Sequence, residues 1–287
     1  MIIEHNKGCL EIGHKMLVMG ILNVTPDSFY DGGKYCDLKS AIDHARKMIE
    51  DGADIIDIGG ESTRPGSEFV SENEELRRVI PVIKELRKET EKPISIDTYK
   101  ARVAEKAIEA GAQIVNDISG LQADSDMVKV VAANGTPIII MHIKGQPHNF
   151  PKDPIYEDVI SEILLFLKKR VEFAVEAGIA DNKIIVDPGI GFGKTPKHNY
   201  EILKRLNELK CQNHPILVGT SHKSFIGNTL GFSKEDDFSK LNSQLIGTLV
   251  TLVFAIIRGA NIVRVHDVKE AVQVAKMCNE IELVNYN

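Results

Sequence analysis

Residues 53–64 read Ala-Asp-Ile-Ile-Asp-Ile-Gly-Gly-Glu-Ser-Thr-Arg, a short isoleucine-rich run that ends in a polar segment. A run of this length, nearly continuous in apolar side chains, is typical of a parallel strand that is buried on both faces. The same arrangement recurs along the chain, and a helical pattern follows each run. The eight predicted strands are Leu17–Thr25, Ala53–Gly60, Pro93–Thr98, Ile114–Gly120, Pro137–His142, Lys183–Gly189, Pro215–Ser221 and Ala260–Asp267.

Between these runs the hydrophobic period becomes that of a helix. Leu38–Asp51 places its apolar residues at steps of three and four, which predicts an amphipathic helix. Tyr156–Ala177 and His198–Lys210 have similar stripes. Pro81 lies inside the helical pattern of Glu72–Thr90, so we expect that helix to kink or restart there.

Eight strand–helix units are most simply explained by one closed (β/α)8 barrel, a TIM barrel of the α/β class. An open, doubly wound sheet would produce the same alternation and remains the alternative fold. Met1–Met16 precedes the eight units, and we expect it to form a short hairpin across the bottom of the barrel. Since no linker or low-complexity tract interrupts the sequence, we predict a single domain over residues 1–287, with the barrel over residues 17–276.

Composition excludes several classes of protein. Hydrophobic residues make up 43% and charged residues 26% of the chain, which is enough apolar surface to bury a core and excludes intrinsic disorder. A net charge of −6 without a long basic run argues against a nucleic-acid partner. The longest uncharged stretch, Leu241–Ile257, is too polar to span a bilayer, and the first residues do not resemble a signal peptide. We therefore expect a cytoplasmic protein with no membrane partner.

Polar residues collect at the carboxyl ends of the predicted strands, where the active site of a barrel enzyme is built. The two aspartates Asp97 and Asp187, with Asn116, could bind the guanidine-like edge of an aminopyrimidinone ring. Lys223 could donate to a ring carbonyl or nitrogen, or could form a Schiff base. A further group of polar and basic residues could bind an oxyanion such as phosphate. This group consists of Asn23, Thr63, Arg64, Arg264 and His266.

The glycine-rich segment 189–195, Gly-Ile-Gly-Phe-Gly-Lys-Thr, lacks the spacing of a phosphate-binding P-loop and of a dinucleotide-binding motif. We interpret it as a flexible active-site loop that offers Phe192 for stacking on an aromatic ligand. The nine histidines and four cysteines of the chain have no spacing typical of a zinc site or of a disulfide framework.

Several long stretches of the sequence resemble the dihydropteroate synthase family of folate biosynthesis. They occur in family order and extend over residues 17 to 276. The matching stretches are Gly20–Phe29, Asp57–Gly66, Ser95–Thr98, Val115–Gly120, Asp187–Lys194, Gly219–Ser224 and Arg264–Asp267.

The resemblance implies a barrel that joins 6-hydroxymethyl-7,8-dihydropterin diphosphate to p-aminobenzoate, with 7,8-dihydropteroate and diphosphate as products. It also implies a Mg²⁺ cofactor, inhibition by sulfonamides and a homodimer. Asp97, Lys223 and Arg264 would be the catalytic residues. The pterin would be held by Asp97, Asn116, Asp187 and Lys223, in a pocket lined by Met141 and Phe192.

The same resemblance assigns the other ligands. Mg²⁺ would be coordinated with the help of Asn23. The diphosphate would be bound by Thr63, Arg64, Arg264 and His266. The p-aminobenzoate site would be completed by Ser221 and by two loops, 25–35 and 60–69, which carry Phe29 and Pro65 and would close as a lid.

One residue departs from the family pattern. Ser221-His222-Lys223 stands where family members often have Ser-Arg-Lys, which puts in doubt a second cation at this place. A methyltetrahydrofolate-dependent corrinoid methyltransferase would share the ring contacts but would need no diphosphate site. A catalytically silent pterin-binding protein and a Schiff-base aldolase that uses Lys223 are the remaining alternatives. The helix expected at Leu245–Ile257 is apolar on more than one face, which fits either a dimer contact or a helix packed on the barrel.

Overall fold

The structure, a computed structural model, describes residues 2–5, 8–13, 15–25, 38–62, 67–146, 149–151, 153–231 and 238–282. Its strands are β1 (Ile2–His5), β2 (Gly8–Glu11), β3 (Leu17–Asn23), β4 (Ile55–Gly59), β5 (Ile94–Asp97), β6 (Ile114–Asp117), β7 (Ile138–Met141), β8 (Ile184–Asp187), β9 (Leu217–Val218) and β10 (Ile262–Val265). Its helices are α1 (Leu38–Glu50), α2 (Glu72–Glu89), α3 (Ala101–Ala110), α4 (Met127–Asn134), α5 (Val159–Glu176), α6 (Pro196–Lys204), α7 (Ser224–Thr229), α8 (Phe238–Ile257) and α9 (Val268–Glu282).

Eight parallel strands form the barrel in the order β8-β7-β6-β5-β4-β3-β10-β9. The ring closes where Val186 of β8 bridges Ile216, the residue just before β9, and the Val186 N–H donates to the Pro215 carbonyl at 2.9 Å. The expected barrel is therefore confirmed, and each predicted strand contains an observed one. The observed strands are shorter, since the polar residues that end each run leave the ladder and form the mouth.

Along each strand, side chains point alternately outward and into the barrel, and the inward side chains form two layers. Residues that point outward pack against the helices in the main core. Inward residues near the strand starts form a second apolar cluster, which includes Ile55, Ile114, Ile185 and Ile262. Because side chains repeat every two residues, the next inward position lies closer to the mouth. Those positions carry Asp57, Asn116, Asp187 and Arg264.

The N-terminal hairpin closes the barrel at the strand starts. β1 and β2 pair antiparallel, with Ile3 opposite Leu10. Both side chains are buried and belong to the cluster at the bottom of the barrel, together with Ile12. The hairpin expected for residues 1–16 is therefore present and acts as an apolar plug at the end opposite the mouth.

Two helices differ from the sequence prediction. α2 continues through Pro81 as one helix over Glu72–Glu89, so the expected restart is wrong. Pro81 is exposed, and water can hydrate the Arg77 carbonyl that loses its intrahelical donor there. The pattern at 198–210 divides into α6 and a 3-10 helix, Leu206–Gln212.

Among the described residues, no helix combines the length and the apolar character that crossing a bilayer requires.

Candidate active site

A buried cluster of charges lies inside the barrel on the mouth side. The Arg264 guanidinium donates through Nε to Asp57 Oδ2 at 2.6 Å and through Nη2 to Asp97 Oδ2 at 2.5 Å. Asn116 Nδ2 donates to the same Asp57 oxygen at 3.0 Å. Asp57 is fully buried, and its second oxygen, Oδ1, receives no hydrogen bond within the described part of the chain. The four residues come from β4, β5, β6 and β10, so the barrel itself fixes their positions.

Burial and neighbouring charge alter the acidity of this cluster. Burial raises the pKa of Asp97, Arg264 opposes that shift, and the nearby Asp57 carboxylate adds to it. Burial alone would lower the pKa of Arg264, but the carboxylates of Asp57 and Asp97 raise it. Arg264 is therefore a permanent cation, whereas Asp97 is a carboxyl group able to exchange a proton near neutral pH.

Asp187 and Lys223 form the other side of the interior. Asp187 Oδ1 accepts a hydrogen bond from the Gly189 N–H at 2.7 Å, while no described residue donates to Oδ2. Burial raises the pKa of Asp187, although Lys223 opposes the shift. Burial likewise lowers the pKa of Lys223 to about 8, although Asp187 opposes that shift. Asp187 at the end of β8 and Lys223 just before α7 thus bring a carboxyl and an amino group close enough to affect each other's pKa.

The loop after β8, residues 189–193, is held in place by side chains, which differs from the flexible loop expected from its three glycines. Lys194 Nζ donates to the carbonyls of Gly189 at 2.8 Å and Phe192 at 3.1 Å. The Tyr156 hydroxyl donates to the Gly193 carbonyl at 2.9 Å, and Lys223 Nζ donates to the Ile190 carbonyl. Sequence reasoning omitted Lys194, although its place directly after the glycines was the available signal.

Met141 and Phe192, which are predicted to line the pterin pocket, belong to one apolar cluster. Met141 is buried with Ile118 and Ile143, and Phe192 packs against this group. The Phe192 ring also lies beneath the Lys223 ammonium, with 4.6 Å between Nζ and the ring centroid. Ile143 also contributes to the wall of a cavity of about 520 Å³, which is lined by Phe69, Tyr99, Ser119, Gln122, Ala123, Ile143, Gly145 and Gln146.

Ser221 and His266 meet across the ends of β9 and β10. The Ser221 hydroxyl lies 3.0 Å from His266 Nδ1 and accepts from the His266 backbone N–H at 3.2 Å. His222 departs from the family pattern, yet it still serves as a donor. Its Nε2 lies 2.6 Å from Asp267 Oδ2, and this bond lowers the pKa of Asp267.

The predicted anion and metal residues are described only in part. Asn23 ends β3 and lies beside Gly59. A Cβ added at Gly59 would lie 3.8 Å from Asn23 Oδ1 and 3.7 Å from Asp97 Oδ2, so the glycine leaves room between an amide oxygen and a carboxylate oxygen. Thr63 and Arg64 lie outside the described residues, as do Phe29, Pro65, nearly all of the predicted lid loop 25–35 and residues 63–66 of the predicted lid loop 60–69.

A second charge cluster, at the base of the loop after β4, escaped sequence reasoning. Lys100 Nζ donates to Glu61 Oε2 at 2.6 Å and to Glu75 Oε2 at 2.5 Å, with all three side chains buried. Glu61 Oε1 also accepts from the Val70 N–H at 2.9 Å. This contact holds the two ends of the loop together. The three residues are too far apart in the sequence for spacing to reveal them.

Comparison with known proteins agrees with this geometry. The sequence pattern of the pterin binding enzyme family matches residues 19–266. A dihydropteroate synthase of Clostridium beijerinckii is 48% identical over 271 residues, which are 94% of this chain and 96% of that protein.

Solved structures give the same result. A Clostridium difficile dihydropteroate synthase, crystallised in the presence of pteroic acid, has a TM-score of 0.85 and 48% identity, with 95% of this chain and 98% of that one covered. A Yersinia pestis dihydropteroate synthase in complex with a sulfonamide drug has a TM-score of 0.89 and 42% identity, with 98% and 99% covered. The chain therefore belongs to the pterin binding enzyme family, among its dihydropteroate synthases.

Proposed function

We propose that the mouth of this barrel joins 6-hydroxymethyl-7,8-dihydropterin diphosphate to p-aminobenzoate and so makes 7,8-dihydropteroate, with release of diphosphate. As a dihydropteroate synthase the chain is a transferase of the pterinylmethyl group in folate biosynthesis. The site assignment rests on one observation, which is a layer of polar and charged side chains inside the mouth of the barrel. The layer consists of Asp97, Asn116, Asp187, Lys223 and Arg264. Related structures contain pteroic acid, p-aminobenzoate or dihydropteroate.

In this proposal the ring of the pterin lies against the Met141 and Phe192 wall. Asp187 Oδ2 accepts from the guanidine-like edge of the ring, and a buried carboxylate with an available oxygen favours such a fixed N–H partner. Asn116 supplies amide contacts, and Lys223 donates to a ring heteroatom. Asp97 lies between the ring and Arg264, where its carboxylate stabilises positive charge on the pterin.

The diphosphate is assigned to Thr63, Arg64, Arg264 and His266, at the ends of β4 and β10. Support comes from the 3.0 Å contact of the Ser221 hydroxyl with His266 Nδ1. In the tautomer that has Ser221 as the donor, the imidazole proton is on Nε2 and can be donated to an oxyanion. The p-aminobenzoate site is assigned to the side of Ser221. A sulfonamide would compete there, as the Yersinia pestis complex illustrates for a relative.

The residues present fit a Mg²⁺ ion that is bound mainly through substrate. Magnesium sites of this kind use one or two protein oxygens together with phosphate oxygens and water. Asn23 Oδ1 and the room beside Gly59 match that requirement, and the described residues contain no cluster of three acidic, histidine or cysteine side chains for an all-protein site. Bound Mg²⁺ would neutralise negative charge on the departing diphosphate.

The chemistry needs no covalent intermediate with the enzyme. Departure of diphosphate breaks the C–O bond and leaves an electron-poor methylene conjugated to the pterin. The arylamine nitrogen forms the new C–N bond there and loses one proton, which passes to the released diphosphate or to water. Arg264 and His266 stabilise the negative charge that leaves, while Asp97 stabilises the positive charge that remains. Lys223 acts as a hydrogen-bond donor in this scheme, because its Nζ already lies against the Ile190 carbonyl and the Phe192 ring.

We propose further that the protein is a single-domain, cytoplasmic homodimer. The support is an apolar stripe on α8, where Ile246, Val250, Phe254 and Ile257 are each between 46% and 61% exposed. Contiguous exposed apolar patches of this kind mark interaction surfaces. Ile246→Glu should convert the dimer to a monomer in sedimentation velocity, with Lys276→Glu on α9 as a control for added negative charge. A wild-type protein that sediments as a monomer would rule out the dimer.

The first test of the function is release of diphosphate from 6-hydroxymethyl-7,8-dihydropterin diphosphate with Mg²⁺, with and without p-aminobenzoate. Release coupled to dihydropteroate formation is expected. Lys223→Ala and Asp187→Asn should each remove most of the turnover, and near-wild-type rates in either variant would refute the site assignment. Tight pterin binding without release would instead support a silent binder or a corrinoid methyltransferase.

A further inference from the structure

The loop at residues 189–193 has the most unusual backbone of the site. Its glycines at 189, 191 and 193 have φ angles of +67°, +86° and +63°, in the left-handed region that glycine tolerates. A chain with three such glycines is expected to lose much conformational entropy when it becomes ordered. Contacts from outside the loop must therefore stabilise the observed conformation.

Lys194 makes the central contact of this kind. Besides the carbonyls of Gly189 and Phe192, its Nζ lies 2.8 Å from His142 Nδ1. Burial, together with the charge of Lys194, lowers the pKa of His142 to about 2, so this imidazole is neutral. Burial lowers the pKa of Lys194 well below its ordinary value, and the charge of Asp187 opposes that shift. The His142 carbonyl also lies 3.4 Å from Nζ, so three carbonyl oxygens and one imidazole nitrogen surround it. These surroundings match the three N–H donors of the ammonium form.

The loop held by Lys194 in turn supports the proposed pterin residues. Gly189 donates to Asp187, Ile190 accepts from Lys223, and the Phe192 ring lies under the Lys223 ammonium. We propose that Lys194 is a positioning residue, whose ammonium clamps the 189–193 loop to the end of β7 and so fixes Asp187, Phe192 and Lys223 for pterin binding. This inference rests on the pterin roles assigned above.

The geometry around Nζ also suggests a direct test. Three carbonyls and an imidazole nitrogen at 2.8–3.4 Å form a cage that a free ammonium ion could occupy if the lysine side chain were shortened. Lys194→Ala would leave the cage empty, whereas Lys194→Met would fill the space without a charge or a donor. Lys197→Met removes an exposed lysine nearby and is the matched control.

We expect Lys194→Ala and Lys194→Met to raise the KM for 6-hydroxymethyl-7,8-dihydropterin diphosphate at least tenfold, with less than a threefold change in the KM for p-aminobenzoate. Ammonium chloride should restore the pterin KM of Lys194→Ala and should not restore that of Lys194→Met. Sodium chloride and tetramethylammonium chloride at equal ionic strength should have no such effect, and Lys197→Met should behave as wild type.

A wild-type pterin KM in Lys194→Ala would overturn the inference, and so would an equal loss for both substrates that ammonium fails to rescue. If Lys194→Ala does not fold, the pterin affinity of Lys194→Met decides in the same way. Lys223→Met separates this inference from the function on which it rests. Unchanged pterin binding in that variant would refute the site assignment itself, whereas weak binding there with normal binding in the Lys194 variants would refute the clamp alone.

Discussion

Asp57 organises the charged layer although it was absent from the residues predicted to act. Its Oδ2 accepts from both Arg264 and Asn116, and so joins the proposed anion and pterin sites. The residue stands in the middle of β4 rather than at its end, and attention to strand ends therefore missed it. The two-residue repeat could have found it, because Asp57 follows the inward Ile55 by two positions.

Asp57→Asn should lower both stability and activity. The amide removes a charge from a buried ion pair and turns a donor toward Arg264 or Asn116, which we expect to destabilise the fold by about 3 kcal/mol. Displacement of Arg264 and Asn116 should reduce kcat/KM by tenfold or more. Urea unfolding and steady-state kinetics measure the two effects. Asp126→Asn, which breaks an exposed pair with Lys129, should stay within about 0.5 kcal/mol of wild type; equal stability of the two variants would contradict the role of Asp57.

Lys223 gives pterin binding a pH dependence. Its pKa of about 8 in the buried site means that the ammonium form, the stronger donor, is present below pH 8 and is lost as the pH rises. Pterin affinity should therefore fall between pH 7 and pH 9, which calorimetric titration of the ligand-free protein would measure. Lys223→Arg does not titrate in this range, so any inflection common to both proteins comes from the ligand or from another group of the site, such as Asp97. Identical profiles would assign the effect to another group.

At the scale of elements, hydrophobic periodicity predicted all eight barrel strands and the helices around them, because that pattern is set by burial within a few residues. The first and last residues of the strands were predicted less accurately. β9 has two residues where seven were expected, since the polar segment from Gly219 leaves the ladder to bring Ser221 and Lys223 to the mouth. The hydrogen bonds of the 189–193 loop could not be predicted, because they involve His142, Tyr156 and Lys223, whose partners lie 52, 37 and 33 residues away in the sequence.

The loop after β8 should tolerate no side chain at its first glycine. A Cβ at Gly189 would lie 1.8 Å from the His142 carbonyl oxygen, in addition to the strain of its positive φ. Gly231 has a similar φ of +74° but no heavy atom within 4 Å of such a Cβ. Gly189→Ala should therefore abolish pterin binding and lower the melting temperature, whereas Gly231→Ala should cost about 1 kcal/mol and leave binding intact. Comparable losses in calorimetry for the two variants would contradict the close contact.

At the scale of the whole molecule, stability and chemistry occupy opposite ends of the barrel interior. The apolar cluster at the strand starts and the plug formed by β1 and β2 contain no proposed ligand contact. The charged layer lies closer to the mouth, where the burial of charged groups reduces stability and serves binding. The collection of polar residues at the carboxyl ends of the predicted strands indicated the chemical end, and the two-residue repeat explains why both layers lie on one face of each strand.

Ile3→Ala should therefore change stability alone. The side chain is 1% exposed in the plug, and its truncation should destabilise the protein by about 2–4 kcal/mol with unchanged KM values. Ile2→Ala, at the adjacent position with 55% exposure, is the matched control and should stay within about 0.5 kcal/mol of wild type. Urea unfolding compares the two, and a harmless Ile3→Ala would show that the hairpin does not close the barrel.

The hairpin also provides a handle for attaching the enzyme to a surface. Cys9 lies exposed on β2, at the end of the barrel opposite the mouth, whereas Cys278 is buried in α9. With Cys36 and Cys211 replaced by serine, a maleimide coating would couple through Cys9 and turn every barrel opening toward the solution. An immobilised sensor prepared in this way should bind pterin and sulfonamide ligands with the same affinities as the dissolved protein.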